Sequence, residues 1–441
     1  MDTLDRREFS VWFASVLVGG SLGELMQRSR VYGKDVRIDG QRLNRSLEAL
    51  SRIGRNPATG GINRLAFSDA DVGARRYVSG LMREADLDVA VDYAGNLVGI
   101  RVGGEVRALP IVLGSHIDSV PEGGNYDGSV GALAAIEIAR VLAERRIALR
   151  HPIEVIVFSN EEGGKTGSRA LIGEVDPREL SLPTASGKTI GEGIVFIGGD
   201  PGRLNEVRRE AGSIKAFLEL HVEQGSVLER SGVQIGVVEG IVGIKRWNVV
   251  VEGFANHAGT TPMHARRDAL VAAARFIDLV HMVALEIPGR QVATVGRITA
   301  EPGAPNVIPG RVTLSLEIRD LEMSKIDRVF ERLKMEADRI SRDTGAAFAF
   351  DQFYLSHGAL TDEHLRQTIE QEASALGLSH MRLPSGAGHD AQSMAKLGPV
   401  GMIFVPSRSG VSHSPREFTA PEDVVNGAQV LLRTVLAVDL L

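Results

Sequence analysis

From residue 40 onward, short apolar runs bounded by polar and turn-forming residues alternate with segments whose apolar residues recur every three or four positions. R-L-N-R-S-L-E-A-L-S-R-I (42–53) and A-D-V-G-A-R-R-Y-V-S-G-L-M-R-E-A (70–85) carry the helical period. D-L-D-V-A-V-D, N-L-V-G-I-R-V and L-P-I-V-L-G-S read as strands. Gly128 to Arg146 is an alanine-rich amphipathic helix, P-I-E-V-I-V-F-S-N a buried strand, and A-F-L-E-L-H-V begins another. This β/α alternation predicts an α/β domain whose mostly parallel sheet is covered by helices.

The texture changes near Val238. K-R-W-N-V-V-V-E-G alternates strictly, A-R-R-D-A-L-V-A-A-A-R-F-I-D-L-V-H is helical, and Q-V-A-T-V-G-R-I-T and R-V-T-L-S-L-E-I-R-D alternate again. A helix over S-K-I-D-R-V-F-E-R-L-K-M-E-A-D-R-I leads to a last strand at A-A-F-A-F-D-Q-F. Strand, helix, two strands, helix, strand is the ferredoxin-like α+β order. After residue 355 the α/β texture returns and closes with a helix at E-D-V-V-N-G-A-Q-V-L-L-R-T-V-L-A-V. The expected architecture is therefore an α/β domain over 35–238 and 355–441, interrupted by an inserted ferredoxin-like domain over 239–354. Two domains also suit a chain of 441 residues. No internal repeat or low-complexity segment is evident.

Composition narrows the function classes. A net charge of −6 and only 5% aromatic residues leave neither a basic footprint nor a stacking platform for nucleic acid. With no cysteine, any metal must be held by histidines and carboxylates. Residues 1–30 hold Arg6-Arg7 ahead of the apolar run V-W-F-A-S-V-L-V-G-G, a pattern like a twin-arginine export signal. That run falls short of the ~20 residues a membrane helix needs. A periplasmic protein is the expectation, and an amphipathic N-terminal helix on a cytoplasmic protein is the alternative. No other segment suggests a membrane span.

The candidate chemistry sits at strand ends. L-P-I-V-L-G runs into S-H-I-D-S-V-P-E-G-G-N-Y-D-G, which places His116 and Asp118 two apart, on one side of a strand, and Asp127 on a turn-rich loop. I-E-V-I-V-F-S-N ends in Glu161-Glu162, F-L-E-L-H-V carries His221 ahead of Glu223-Gln224, and G-M-I-F-V-P-S precedes Ser412-His413-Ser414-Pro415. Taken singly, a histidine is an ordinary hydrogen-bonding residue and a Glu-Glu pair is a solvated helix start. The repetition carries weight because open α/β sheets gather their sites at the carboxyl ends of strands.

H-I-D-S-V-P-E-G-G-N-Y-D-G, S-N-E-E-G, L-E-L-H-V-E-Q-G, A-N-H-A-G-T-T-P-M, P-N-V-I-P-G, G-A-G-H-D-A and S-H-S-P occur in this order. Together they resemble the M20 metallohydrolases, and within them the amidase branch of N-carbamoyl-L-amino acid hydrolases, β-ureidopropionases and allantoate or ureidoglycolate amidohydrolases. The resemblance spans nearly everything after residue 40. It implies two divalent ions, Zn2+ first with Mn2+, Co2+ or Ni2+ also compatible. The implied ligands are His116, Asp127, Glu162, His221 and His413, with His116 and His221 on different ions and Asp127 bridging them. Asp118 is implied to hydrogen-bond and orient His116. Glu161 is implied as the general base that takes a proton from a water held between the ions. The two adjacent glutamates are expected to differ because neighbours on an extended chain point opposite ways.

The resemblance also implies an oxyanion donor at His257, carboxylate-binding residues at Asn306 and Arg319, and a polar contact to the ureido group at Gln224. Taken without it, His257 is a loop residue, Asn306 a turn former, and Arg319 half of a pair with Asp320. His389 and Asp390 are expected to support the pocket rather than bind metal. The loop after Glu162 is several residues shorter than in the amidase branch, which bears on the pocket wall and the preferred substrate. The implied partner is a small molecule bearing a carboxylate, and the implied assembly is a homodimer through the inserted domain. The alternatives are an M20 peptidase or N-acyl amino acid deacylase with the same core, and a non-catalytic binding protein on the same fold.

Overall fold

The structure, a computed structural model, describes residues 36–441. The twin-arginine reading of residues 1–30 lies outside them. In chain order the first elements are helices α1 (Gly40–Ser51) and α2 (Asp69–Glu84), strands β1 (Asp88–Val91), β2 (Leu97–Arg101) and β3 (Ile111–His116), and helix α3 (Ser129–Glu144). Then come β4 (Ile153–Phe158), β5 (Ala216–Val222), β6 (Ile235–Ile241), β7 (Gly243–Glu252), α4 (Ala269–Glu286), β8 (Val292–Glu301) and β9 (Arg311–Asp320). The last are α5 (Met323–Thr344), β10 (Ala347–Ser356), α6 (Glu363–Ala375), β11 (Val400–Val405) and α7 (Pro421–Val438).

The contacts divide the chain into two compact units. One runs through Glu239 and resumes at Thr361–Leu383 and His389–Leu441; the other is Gly240–Leu360 with Pro384–Gly388. In the first unit the sheet order is β1-β2-β4-β3-β5-β11-β6. The neighbours β4, β3, β5 and β11 run parallel, while β1, β2 and β6 pair antiparallel with their neighbours. All four parallel strands are buried along their whole length, as mostly apolar runs under helices on both faces should be. Helix α3 approaches β5 closely because Gly131 has no side chain: a Cβ there would lie 2.2 Å from the Leu220 carbonyl oxygen. Four parallel neighbours necessarily deliver their carboxyl ends to one edge of the sheet. No helix of the described residues is long and apolar enough to cross a membrane.

The second unit has the order β10-β7-β9-β8, every pair antiparallel. Its chain order is strand, helix, strand, strand, helix, strand. Val249, Val251, Leu314 and Leu316 of the sheet pack with Phe276 and Val280 of α4 and with Val329 and Leu333 of α5. Trp247 stacks on Phe330, with ring centroids 4.1 Å apart and planes 8° from parallel. Strand β7 is flanked on both sides within its own sheet, by β10 and β9.

Candidate metal centre

His116 is the last residue of β3, and its ring is buried. Its Nδ1 lies 3.0 Å from the main-chain carbonyl of Asp118. A carbonyl only accepts, so Nδ1 carries the proton and Nε2 is left with its lone pair. His221, on β5, repeats the arrangement: Nδ1 lies 2.9 Å from the Val222 carbonyl, and the Gly128 N–H donates to Nε2 at 3.2 Å. Nε2 of each ring faces one oxygen of Asp127, Oδ1, at 3.6 Å from His116 and 3.1 Å from His221. Lone pairs do not face a carboxylate oxygen at that distance without a shared cation, a proton or a metal ion.

The other oxygen of Asp127 faces a second group. His413 Nε2 lies 3.1 Å from Oδ2 and 3.4 Å from Glu162 Oε1. Ligand atoms of His116, Asp127 and His221 fall within 4.8 Å of one another, as do those of Asp127, Glu162 and His413. Both histidines of the buried sheet therefore share one group, and Glu162 pairs with His413 in the other. This corrects the expectation that His116 and His221 serve different ions; Asp127 is common to both groups.

Asp118 departs from its expected contact. Strand β3 stops at His116, so Asp118 lies in the following loop, and its carboxylate Oδ1 is 3.6 Å from His116 Nδ1, beyond a hydrogen bond. The main-chain carbonyl orients the ring instead. The carboxylate accepts the amides of Glu161 and Glu162 at 3.3 and 3.2 Å. Those glutamates occupy a turn, closed by the Lys165 N–H on the Glu161 carbonyl at 2.8 Å, and not an extended segment. The turn still separates their roles: Glu161 Oε2 reaches within 3.9 Å of His116 Nε2 while Glu162 faces His413.

Charge is concentrated here. Burial pushes the Glu161 carboxyl up to about 7, with Asp118 and Asp127 adding to it and His116 and Lys165 opposing. Burial and Asp127 push Glu162 up to about 8. The Asp127 contact holds His413 protonated to about 9. A donor set so rich in carboxylates calls for a cation, and nitrogen and oxygen ligands without sulfur suit Zn2+ and its first-row neighbours.

Other residues surround these donors, and of them Glu417 and Glu219 were not singled out by sequence. Gln224 donates from Nε2 to Asp127 Oδ2 at 2.7 Å, and its own carbonyl oxygen is buried with no hydrogen-bond partner. Glu417 accepts the amides of Tyr126 and Asp127 at 2.8 and 3.0 Å, and Ser412 bridges it to Asp127. Glu219 accepts a hydrogen bond from Ser115 at 2.8 Å and is buried two residues before His221. A charged residue inside A-F-L-E-L-H-V was its available signal. His389 packs edge-on against His221, with centroids 4.5 Å apart. Asn160, Lys165, Gln224 and His413 all adopt left-handed backbone, a strain that collects at functional sites.

The remaining candidates belong to the second unit. Val307 pairs with His257 in a short antiparallel ladder, and the Ala258 N–H donates to the Asn306 carbonyl, so His257 and Asn306 come together across 49 residues of sequence. His257 is exposed, and its Nδ1 accepts the amides of Gly259 and Thr260 at 3.0 and 3.2 Å. Arg319 pairs with Glu317 at 2.7 Å and donates to the Gly386 carbonyl, in place of a pair with Asp320.

Similarity to known proteins agrees with this geometry. The chain is 40% identical to an N-carbamoyl-L-amino acid amidohydrolase of Geobacillus stearothermophilus, over 90% of this chain and 98% of that protein. It is 35% identical to an allantoate amidohydrolase of Bacillus subtilis (strain 168), over 87% and 94%. A solved amidase of the hydantoinase/carbamoylase family from Burkholderia multivorans superposes with a TM-score of 0.85 at 36% identity, covering 92% of this chain and 99% of that one. The family model of Peptidase family M20/M25/M40 matches residues 112–437, and the chain belongs to that family.

Proposed function

We propose that this protein is a metal-dependent amidohydrolase that cleaves a linear C–N bond of an N-carbamoyl or ureido carboxylate, of the N-carbamoyl-L-amino acid, allantoate or ureidoglycolate type. The observation that carries it is Asp127, whose two oxygens each face a separate His-containing donor group. Divalent ions held by His116, His221 and Asp127, and by Asp127, Glu162 and His413, would polarise the carbonyl and acidify a water. Glu161, whose carboxyl reaches within 3.9 Å of His116 Nε2, takes the proton as the water oxygen attacks the ureido carbon, then delivers it to the departing nitrogen. For an N-carbamoyl amino acid the products are the amino acid, ammonia and carbon dioxide.

A ureido group is favoured over an acyl amide by the Gln224 carbonyl oxygen, which is buried and unpartnered. A ureido NH2 offers the donor it needs; an acyl carbon does not. With Nδ1 of His257 taken by two amides, its neutral ring carries the proton on Nε2, as an oxyanion donor requires. Arg319 offers a planar fork for a carboxylate, with Asn306 beside His257 as the second polar group. Residues 240–360 serve as lid and dimerisation domain in this proposal. Val292 and Ile298, exposed on the outermost strand β8, support a second copy there. Export through residues 1–30 completes the proposal.

The test is ammonia release from N-carbamoyl-L-amino acids, allantoate and ureidoglycolate after chelator dialysis and readdition of Zn2+, Mn2+, Co2+ or Ni2+. Activity is expected only with metal restored. Release of amino acid from N-acyl or dipeptide substrates alone would overturn the ureido assignment.

A further inference from the structure

We infer that Arg64 is a positioning residue for the metal centre, a guanidinium clamp that fixes the loop carrying the ligands from both ends. The inference rests on the metal reading above. Arg64 is 1% exposed and has no carboxylate within ion-pair distance among the described residues. A charge so placed must be held by dipoles, and it is. Nε donates to the Ile117 carbonyl, Nη1 to the carbonyls of Leu50 and Ile53 at 3.1 Å each, and Nη2 to Ser129 Oγ at 3.1 Å.

The placement of these acceptors gives the clamp its meaning. Ile117 lies between His116 and Asp118, and Ser129 follows Asp127 by two residues. One planar group thus grips the start and the end of the segment that supplies His116, Asp118 and Asp127, and ties both to the end of α1. The main chain of Arg64 adds to the grip: the Ser119 N–H donates to its carbonyl at 2.9 Å, and its own N–H donates to Ser119 Oγ at 3.1 Å. Two residues earlier, Ile62 and Gly123 exchange a pair of 3.0 Å bonds. The loop has no regular structure of its own, so these bonds determine its path.

The consequence travels through peptide planes already described. Turning the Ile117 carbonyl moves the Asp118 carbonyl that sets the His116 tautomer, and the Asp118 carboxylate that holds the turn of Glu161 and Glu162. A lysine cannot replace Arg64, because a single ammonium has three donors at one point while four acceptors here lie in different directions.

The experiment measures Zn2+ affinity at 10 °C by competition with a chromophoric chelator, on full-length wild type, Arg64→Lys and Ser129→Ala, beside melting curves. Wild type is expected to bind, Arg64→Lys to bind roughly 10–100-fold more weakly, and Ser129→Ala about threefold or more weakly with its melting temperature nearly unchanged. A residue that only stabilises the fold would lower melting temperature and leave affinity at 10 °C alone. Wild-type affinity in both variants overturns the clamp. If Arg64→Lys does not fold, Ser129→Ala decides in the same way. Failure of wild type to bind Zn2+ instead refutes the metal reading, and the clamp with it.

Discussion

Asp118→Asn isolates the part that orientation plays at this centre. The carboxylate is 3% exposed and accepts two amides, from Glu161 at 3.3 Å and Glu162 at 3.2 Å. Hydrogen bonds to a charged group contribute about 1.5–3 kcal/mol, and the length of these two places each near the lower end. Asparagine keeps one acceptor oxygen and turns an NH2 toward the other amide, so one bond is lost and a donor faces a donor. Together these cost about 3 kcal/mol in the position of the Glu161 turn, which at 1.36 kcal/mol per tenfold is a fall in kcat of roughly 100-fold. His116 keeps its tautomer, because the main-chain carbonyl that sets it is untouched. Steady-state ammonia release and metal analysis by mass spectrometry should therefore show low kcat with metal largely retained. A kcat within about threefold of wild type would refute the role given to the carboxylate.

Glu161→Gln removes the proton acceptor and should lower kcat by ~10²–10⁴ while both donor groups keep their metal; surviving turnover would reassign the base. Gly128→Ala should abolish metal binding, since its backbone is left-handed (φ 62°) and a Cβ would lie 2.4 Å from His116 Nε2; metal content of the purified variant reports it. Glu154→Ala strands Arg209, which is 11% exposed in its side chain and paired to Glu154 by both guanidinium nitrogens, and should destabilise the fold by about 3 kcal/mol in urea titration. A loss below about 1 kcal/mol there would show that Arg209 finds water or another partner.

The four strands that carry the donor residues were legible because each is a short, mostly apolar run that holds or leads into His116, Glu161-Glu162, His221 or the loop to His413. Helix α4 was set four residues early: it begins at Ala269, where Asp268 caps it by accepting the amides of Leu270 and Val271. That aspartate ahead of A-L-V-A was the start signal, and the apolar period alone ran past it. The path of loops was not legible. Nothing in S-N-E-E-G reveals a turn, and spacing cannot tell that a carbonyl rather than a carboxylate orients His116. Arg64 and Glu417 escaped notice because each is a single charge whose partners are mostly main-chain groups, some of them far along the chain.

Asp127 shows why convergence at the strand ends was readable and the grouping of the donors was not. Its loop is held from behind by Glu417 on the amides of Tyr126 and Asp127, and its Oδ2 is fixed by Gln224 at 2.7 Å and Ser412 at 3.2 Å. With Oδ2 committed on that side, Oδ1 has one direction left, toward the two rings at the ends of β3 and β5. These strands are neighbours in the sheet, so their histidines converge on one oxygen, whereas His413 follows β11 by eight residues and swings over to meet Glu162. Which histidines fall in one donor group is thus decided by strand adjacency and by the partners of a single carboxylate, and both are properties of the folded chain.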